Sequence, residues 1–193
     1  MKINIAILGS TGSIGQNILD VVRKDKKNLK VVLLTANKNY KKLIQQAKEF
    51  KVKNILIYND KYYEFLKVKL KGRKINIFSR KTKLNKIFKK KVDYTICGIS
   101  GLDGLKPTLD VIKFTKTIAS ANKESIICGW YLINKKLKKY NTKFIPIDSE
   151  HYSIWNLTRE YSNNDIEEII LTASGGPLLN SPIRIQKTIT PEK

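Results

Sequence analysis

Apolar positions along the chain fall into two alternating patterns. Short continuous runs come first, and each is followed by a stretch in which apolar residues recur every three or four positions. IAIL (5–8) precedes Ile14, Ile18, Leu19, Val21 and Val22, and KVVLLTA (30–36) precedes Leu43, Ile44, Ala47 and Phe50. A continuous run of this length reads as a strand buried on both faces, and the helical recurrence as an amphipathic helix packed beside it. The alternation continues through NILIY (54–58) with a helix near 63–70, the weaker INIF (75–78) with a helix near 84–88, and DYTICGI (93–99) with a helix from about Leu105. TIASA (117–121) leads into a helix from about Lys123, KFIPI (143–147) into a helix through 151–161, and EIILTA (168–173) is the last predicted strand. Beyond Gly176 the chain reads as a loop that ends on the helix-start signal TPEK (190–193). Together these elements predict an α/β fold with a doubly wound, Rossmann-like, mainly parallel sheet.

Composition narrows the classes. A chain of 193 residues with 41% apolar content can bury a sizeable core and does not read as disordered. Its two cysteines, Cys97 and Cys128, form neither a disulfide framework nor a zinc-binding pair, which points to a reducing, cytoplasmic setting. The N-terminus enters a strand directly, without the apolar region and cleavage site of a signal peptide, and no run reaches the ~20 apolar residues of a membrane span. A formal charge of +22 raises nucleic acid as a partner. The lysines, however, are scattered through runs such as KDKKNLK (24–30) and FKKKVD (88–93), with no aromatic interleaving, so a solvated surface accounts for them. The expected partners are therefore neither nucleic acid nor membrane. Between Asp148 and Glu168 the balance reverses, with six carboxylates against Arg159 alone.

The first strand runs into GSTGSIG (9–15), which opens the first helix. Glycines there permit a tight turn and close backbone approach, while the helix N–H groups face an anion; a diphosphate is the natural guest. The GxxGxxG spacing is a variant of the dinucleotide fingerprint, and a plain strand-to-helix turn uses glycine too. At the end of the second strand, where an NAD-binding domain places Asp or Glu, the chain has Thr35-Ala36-Asn37-Lys38-Asn39. A cation and amides suit a 2′-phosphate, so NADPH is favoured over NADH, unless Lys38 is one more surface lysine.

Three further strands end in polar motifs, and ligands in open α/β sheets bind beyond carboxyl ends of strands. In PIDSEH, Asp148 and Glu150 lie two apart, on one side of an extended chain, as half of an oxygen-ligand site suited to Mg²⁺ or Mn²⁺; Asp148 or Ser149 serves equally as a helix cap. His151, the sole histidine, reads as a structural hydrogen-bonder. In ANKES, Ser120 or Asn122 is a cap candidate, and Lys123 pairs with an anionic substrate or with Glu124. In TASGGP, Ser174 and the following backbone suit a phosphate or a plain turn.

ILGSTGSIG, the NKN after the second strand, GLDGLKPTL, ANKES, PIDSEH and SGGP together resemble the 1-deoxy-D-xylulose 5-phosphate reductoisomerase family, in order and in approximate spacing, from Lys2 to the end. The resemblance implies NADPH-dependent rearrangement and reduction of 1-deoxy-D-xylulose 5-phosphate to 2-C-methyl-D-erythritol 4-phosphate, in isoprenoid synthesis. It implies a cofactor domain over 1–147 and the beginning of an α+β catalytic domain over 148–193. Thr11, Gly12, Ser13 and Ile14 would bind the cofactor diphosphate, Asn37, Lys38 and Asn39 would border its adenosine phosphate, and Asn122 and Glu124 would line the same site. Lys123, Ser149, Glu150 and Ser174 match substrate contacts, with Lys123, Asp148 and Glu150 in the catalytic set. Asp148 and Glu150 match ligands of a divalent cation (Mg²⁺, Mn²⁺ or Co²⁺). Asn37 stands where many members have glycine. The family continues past TPEK into HPxWxMG and SAxxxNKxxE motifs that carry a third metal-ligating glutamate, so the chain resembles the N-terminal half of a homodimeric enzyme and is expected to be inactive alone. Alternative readings are a semialdehyde-dehydrogenase-type NADP enzyme, which needs a catalytic cysteine or a different second half, and a basic nucleic-acid-binding module.

Overall fold

The computed structural model describes residues 2–170 together with Pro182 and Thr190. The chain divides into two units, Met1–Tyr152 and Ser153–Lys193.

In the first unit seven strands form one sheet: β1 (Ile3–Leu8), β2 (Leu29–Ala36), β3 (Asn54–Ile57), β4 (Asn76–Ser79), β5 (Val92–Cys97), β6 (Thr115–Ser120) and β7 (Lys143–Pro146). All neighbours run parallel, in the order β4-β3-β2-β1-β5-β6-β7. The helices α1 (Ser13–Lys24), α2 (Tyr40–Glu49), α3 (Asp60–Lys69), α4 (Leu105–Val111) and α5 (Lys123–Tyr140) supply the crossovers, and α6 (Ser149–Thr158) runs on into the second unit.

Strand side chains alternate across the sheet, so each strand feeds two cores. Ile5 and Ile7 of β1 join Leu19 and Val22 of α1, Leu43 and Ala47 of α2 and Leu66 of α3 on one face. Ala6 and Leu8 join Val111 of α4, Ile112 just beyond it, and Ile133 and Leu137 of α5 on the other. This two-sided burial is why the strands read as continuous apolar runs. Among the described residues the polar ones buried as whole residues are Ser, Thr, Asn and Gln, and none of those is charged. None of the described helices is long and apolar enough to cross a membrane.

Two predicted elements differ. The helix expected near 84–88 is a single 3₁₀ turn, Leu84–Lys86, after which Ile87 and Phe88 are buried in the second core. A stretch this short closes too few helical hydrogen bonds to offset nucleation, and the buried pair fixes it as a turn. In the second unit, residues 166–170 have no regular secondary structure, so the described beginning of EIILTA is not a strand, and its remainder lies outside the described residues. That unit also holds the end of α6, with the Arg159 guanidinium 5.3 Å from the centre of the Trp155 ring, and a 3₁₀ turn at Asn163–Asp165 capped by Ser162.

Candidate cofactor cleft and carboxylate pair

Strand order reverses at β1: β2, β3 and β4 are laid down on one side of it, and β5, β6 and β7 on the other. The loops after β1 and β5 therefore leave the sheet in opposite directions, and a crevice opens between them at the carboxyl edge. GSTGSIG forms one lip. Gly9 has φ +80°, and a side chain there would come within 2.9 Å of the Gly98 carbonyl oxygen. At Gly15 a Cβ would stand 2.5 Å from the Gly9 oxygen, so α1 starts directly on top of the turn. The loop is tied down from below: Gly9 N–H donates to Thr35 Oγ1 (2.9 Å), Ser10 N–H to the Thr35 carbonyl (2.8 Å), and buried Ser10 and Gln46 bond to each other twice.

The start of α1 fits a diphosphate. Gly12 occupies the N-cap with no side chain to satisfy the helix, and the first turn has no acidic residue. The first helical bond is donated by Gln16 to Gly12 (3.0 Å), which leaves the N–H groups of Ser13, Ile14 and Gly15 ahead of it. Such an end carries partial positive charge and oriented donors.

In front of this lip lies a cleft of about 820 Å³. Gly9, Thr11 and Gly12 line it from β1, Thr35, Ala36 and Asn37 from β2, Tyr58 from β3, Arg80, Lys81 and Thr82 from beyond β4, and Gly98–Ser100 from β5, with α4 closing the far wall. Of the residues expected to hold the cofactor, Thr11, Gly12 and Asn37 line the cleft. Ser13 and Ile14 sit in the first turn of α1 behind it, and Lys38 is exposed and does not line it. Asn39 caps α2, its Oδ1 accepting from Lys42 N–H at 3.1 Å. The sequence reading missed Tyr58, Arg80, Lys81, Ser100 and Lys106. Tyr58, Arg80, Lys81 and Ser100 follow the ends of β3, β4 and β5, so the strand-end rule applied there would have found them, and Lys106 lies in the first turn of α4.

At the start of α5, both cap candidates are used in series. Ser120 Oγ accepts from Asn122 N–H (3.3 Å), and Asn122 Oδ1 accepts from Ser125 N–H (2.7 Å). Asn122 is buried, and its amide donates to the carbonyls of Ile99 and Gly101, so it fixes the loop after β5 as well as the helix. Glu124 is exposed in the first turn of α5. Lys123 Nζ reaches Glu150 Oε1 at 3.2 Å, and this partner raises the lysine pKa.

The carboxylate pair sits where α6 begins. Asp148 Oδ1 accepts from His151 N–H (3.0 Å), so the aspartate does cap the helix, and His151 Nδ1 lies 2.7 Å from the same oxygen. The other oxygen, Oδ2, is buried without a hydrogen-bond partner, on a side chain only 7% exposed. A buried anionic oxygen left unpaired is costly, and a cation would satisfy it. Glu150 is held at a pKa of about 2 by its own backbone N–H, then by the Ser149 hydroxyl (2.9 Å), then by Lys123. It is therefore an ionised, exposed donor beside the first. Two hard oxygen donors suit Mg²⁺ or Mn²⁺. Among the described residues, no group of three or more His, Cys, Asp or Glu side chains gathers as a complete metal site. Ser174, the remaining expected substrate contact, lies outside the described residues.

Cys97 is buried and its thiol is pushed up to about 11, chiefly by desolvation, whereas Cys128 is exposed on α5. Neither lines the cleft, so this chain offers no cysteine nucleophile there for the semialdehyde-dehydrogenase reading. With a chromogenic disulfide at pH 8, one thiol per chain should react quickly and the second only after denaturant is added. Two fast thiols would contradict the placement of Cys97.

Residues 5–129 match the protein family described as 1-deoxy-D-xylulose 5-phosphate reductoisomerase, and residues 144–193 match its C-terminal domain family. The chain is 55% identical over 188 residues to a 1-deoxy-D-xylulose 5-phosphate reductoisomerase of Pelagibacter ubique, covering 96% of this chain and 48% of that protein. It is 42% identical over 195 residues to one of Clostridium novyi, covering 98% and 50%. The chain thus spans about half the length of the curated relatives it matches. Its fold is similar to a Zymomonas mobilis reductoisomerase solved in complex with NADPH, with a TM-score of 0.84 at 33% identity over 100% of this chain and 51% of that one. A second such enzyme, solved with NADPH, fosmidomycin and magnesium, gives a TM-score of 0.81 at 31% identity over 97% and 49%.

Proposed function

The chain belongs to the 1-deoxy-D-xylulose 5-phosphate reductoisomerase family, and from that premise we propose that it supplies the NADPH-binding part and two metal-ligating carboxylates of an enzyme converting 1-deoxy-D-xylulose 5-phosphate to 2-C-methyl-D-erythritol 4-phosphate. The observation that carries the reading is the uncapped, acid-free start of α1, set against an open cleft where the strand order reverses.

The chain's own residues bind, orient and charge the site. The N–H groups at the start of α1 hold the cofactor diphosphate, and the Gly9–Gly15 turn sets their direction. Asn122, by fixing the loop after β5, keeps the wall of the cleft opposite that turn. Asp148 is aimed by its cap and by His151, so that Oδ2 is the oxygen left for a cation, and Lys123 with Ser149 keeps Glu150 deprotonated beside it. Lys123 is also the cation that an anionic, phosphorylated sugar can engage by exchanging its exposed pair with Glu150. When bound, the divalent cation supplies Lewis-acid polarisation of substrate oxygens and NADPH supplies the hydride. Ser174 belongs to the same proposal as a substrate contact, and a homodimer is the proposed assembly.

The test is a chimaera that joins this chain to the remaining half of the Pelagibacter ubique relative. It should oxidise NADPH only when both 1-deoxy-D-xylulose 5-phosphate and Mg²⁺ or Mn²⁺ are present, and chelation should stop it. A folded chimaera that binds NADPH yet leaves this substrate untouched would sink the reading.

A further inference from the structure

We infer that the lysine-rich strap 80–91 is an electrostatic entry rim, which draws anionic nucleotides toward the cleft and so sets how fast they arrive, not how tightly they are held. The inference rests on the NADPH reading above. It leaves the grip on each phosphate to the turns that touch it, the NKN turn after β2 among them.

The sequence concentrates charge here. RKTKLNKIFKKK (80–91) carries seven cations in twelve residues, and no carboxylate occurs between Glu64 and Asp93. All seven of these residues are exposed. Arg80 bonds Asp60 at 2.8 Å, and Lys91 donates to the Tyr140 carbonyl at 2.6 Å. Lys83, Lys86, Lys89 and Lys90 make no ion pair among the described residues. Like charges crowded in this way repel one another and weaken the compact state, so stability does not explain them.

The fold sets that charge along the mouth of the cleft. Ser79 N–H donates to Thr82 Oγ1 (3.1 Å) and Thr82 N–H to the Ser79 carbonyl (3.0 Å), which fixes the turn out of β4. Further on, Ile87 and Phe88 are buried, and Phe88 stacks on Phe114 with ring centres 5.5 Å apart. The strap is thus pinned at both ends. Thr82, Leu84 and Phe88 line the cleft, and Lys83, Lys86, Lys89 and Lys90 each lie within two residues of one of them. Two residues of chain span at most about 8 Å, which is the screening length at physiological salt. The wall opposite, residues 99–111, carries Asp103 and Asp110 against Lys106 alone, and Lys106 is paired with Asp110 at 2.8 Å. One side of the cleft is therefore strongly positive, an arrangement that focuses the field on an approaching anion.

Stopped-flow binding of NADPH to the 193-residue chain tests this at salt concentrations from about 0.02 to 0.5 M. The association rate constant of the parent should fall by roughly tenfold over that range, and NADH, with one phosphate fewer, should show a shallower slope. Lys83→Gln/Lys86→Gln/Lys89→Gln/Lys90→Gln should slow NADPH association roughly 3- to 10-fold at the lowest salt, with dissociation within about twofold of the parent. At the highest salt the two proteins should converge, and the matching fourfold arginine variant, which keeps the charge, should keep the parent rate throughout. A glutamine variant that associates as fast as the parent, or whose loss appears in dissociation, overturns the inference and leaves the cofactor reading standing. Retention of the parent on duplex DNA at about 0.15 M salt, abolished in the glutamine variant, also overturns it, since the strap would then be a nucleic-acid surface. A parent chain that binds no NADPH overturns the cofactor reading and the inference with it.

Discussion

Asp148→Asn in the chimaeric enzyme is expected to lower kcat by roughly a thousandfold and to leave NADPH affinity within about twofold. The substitution keeps the side-chain shape and one oxygen acceptor, so the cap on His151 N–H can persist. It removes the anionic character of the buried Oδ2, the atom with no partner of its own. Losing a charged ligand withdraws several kcal/mol of Lewis-acid stabilisation, which sets the thousandfold scale. The cofactor lip lies on the β1 turn, away from the β7–α6 junction that carries Asp148, which is why binding and turnover should separate. Steady-state kinetics with added Mn²⁺, paired with a fluorescence titration of NADPH, decides the matter. Near-normal turnover in the variant would mean that Asp148 is a cap and nothing more.

Gly15→Ala should cost the folded chain about 1 to 3 kcal/mol and weaken NADPH by at least tenfold, while Gly12→Ala leaves stability within about 0.5 kcal/mol. Helix propensity favours alanine at Gly15, so a loss there isolates close packing, whereas Gly12 is the N-cap with an extended backbone, φ −77° and ψ 174°, that alanine adopts without strain. At Gly15 the new methyl would lie 2.5 Å from both the Gly9 oxygen and the Ser10 Cα, backbone atoms that cannot step aside without moving the turn. At Gly12 the nearest atom is the Gly9 oxygen at 3.5 Å, an ordinary contact. Moving the turn displaces the N–H groups that face the cofactor, so stability and affinity should fall together. Urea midpoints and NADPH titrations of the two variants test this, and equal stabilities would refute the packing argument.

The strands were legible because burial on both faces leaves a continuous apolar signature that composition cannot blur, even in a lysine-rich chain. The glycine turn was legible for a related reason, since backbone crowding admits few residue types. The 84–88 segment misled because KLNKIF carries helix-compatible residues, whereas its length and the burial of Ile87 and Phe88 decided its form. The beginning of EIILTA, residues 168–170, exposes a different limit: strand propensity records what a segment can do, and a ladder needs a partner that the segment does not encode. At the site, spacing identified Asn122 and Asp148 but left their roles open. Only the coordinates of their acceptors and donors reveal that Asn122 spends its amide on the β5 loop, and that Asp148 divides its two oxygens between a cap and an unfilled contact. Arg80 and Lys81 directly follow the weakly patterned β4, and it is the sheet register that places that strand end beside residues more than forty positions earlier.

The contact between Gly9 and Gly98 has a mechanical consequence. It clasps the loops of β1 and β5 at the point where the strand order reverses, and Gly98 N–H donates to the Leu8 carbonyl at 2.9 Å as a further stitch. The two wings of the sheet accordingly cannot hinge apart there to admit or release a dinucleotide. The floor of the crevice is a fixed datum, and exchange of the guest must be carried by its rims: the 80–88 segment on one side and the 99–104 turn on the other. If the crevice holds a dinucleotide as proposed, stiffening either of these two short loops, for instance by a proline, is expected to slow exchange in both directions while leaving the equilibrium grip of the floor unchanged.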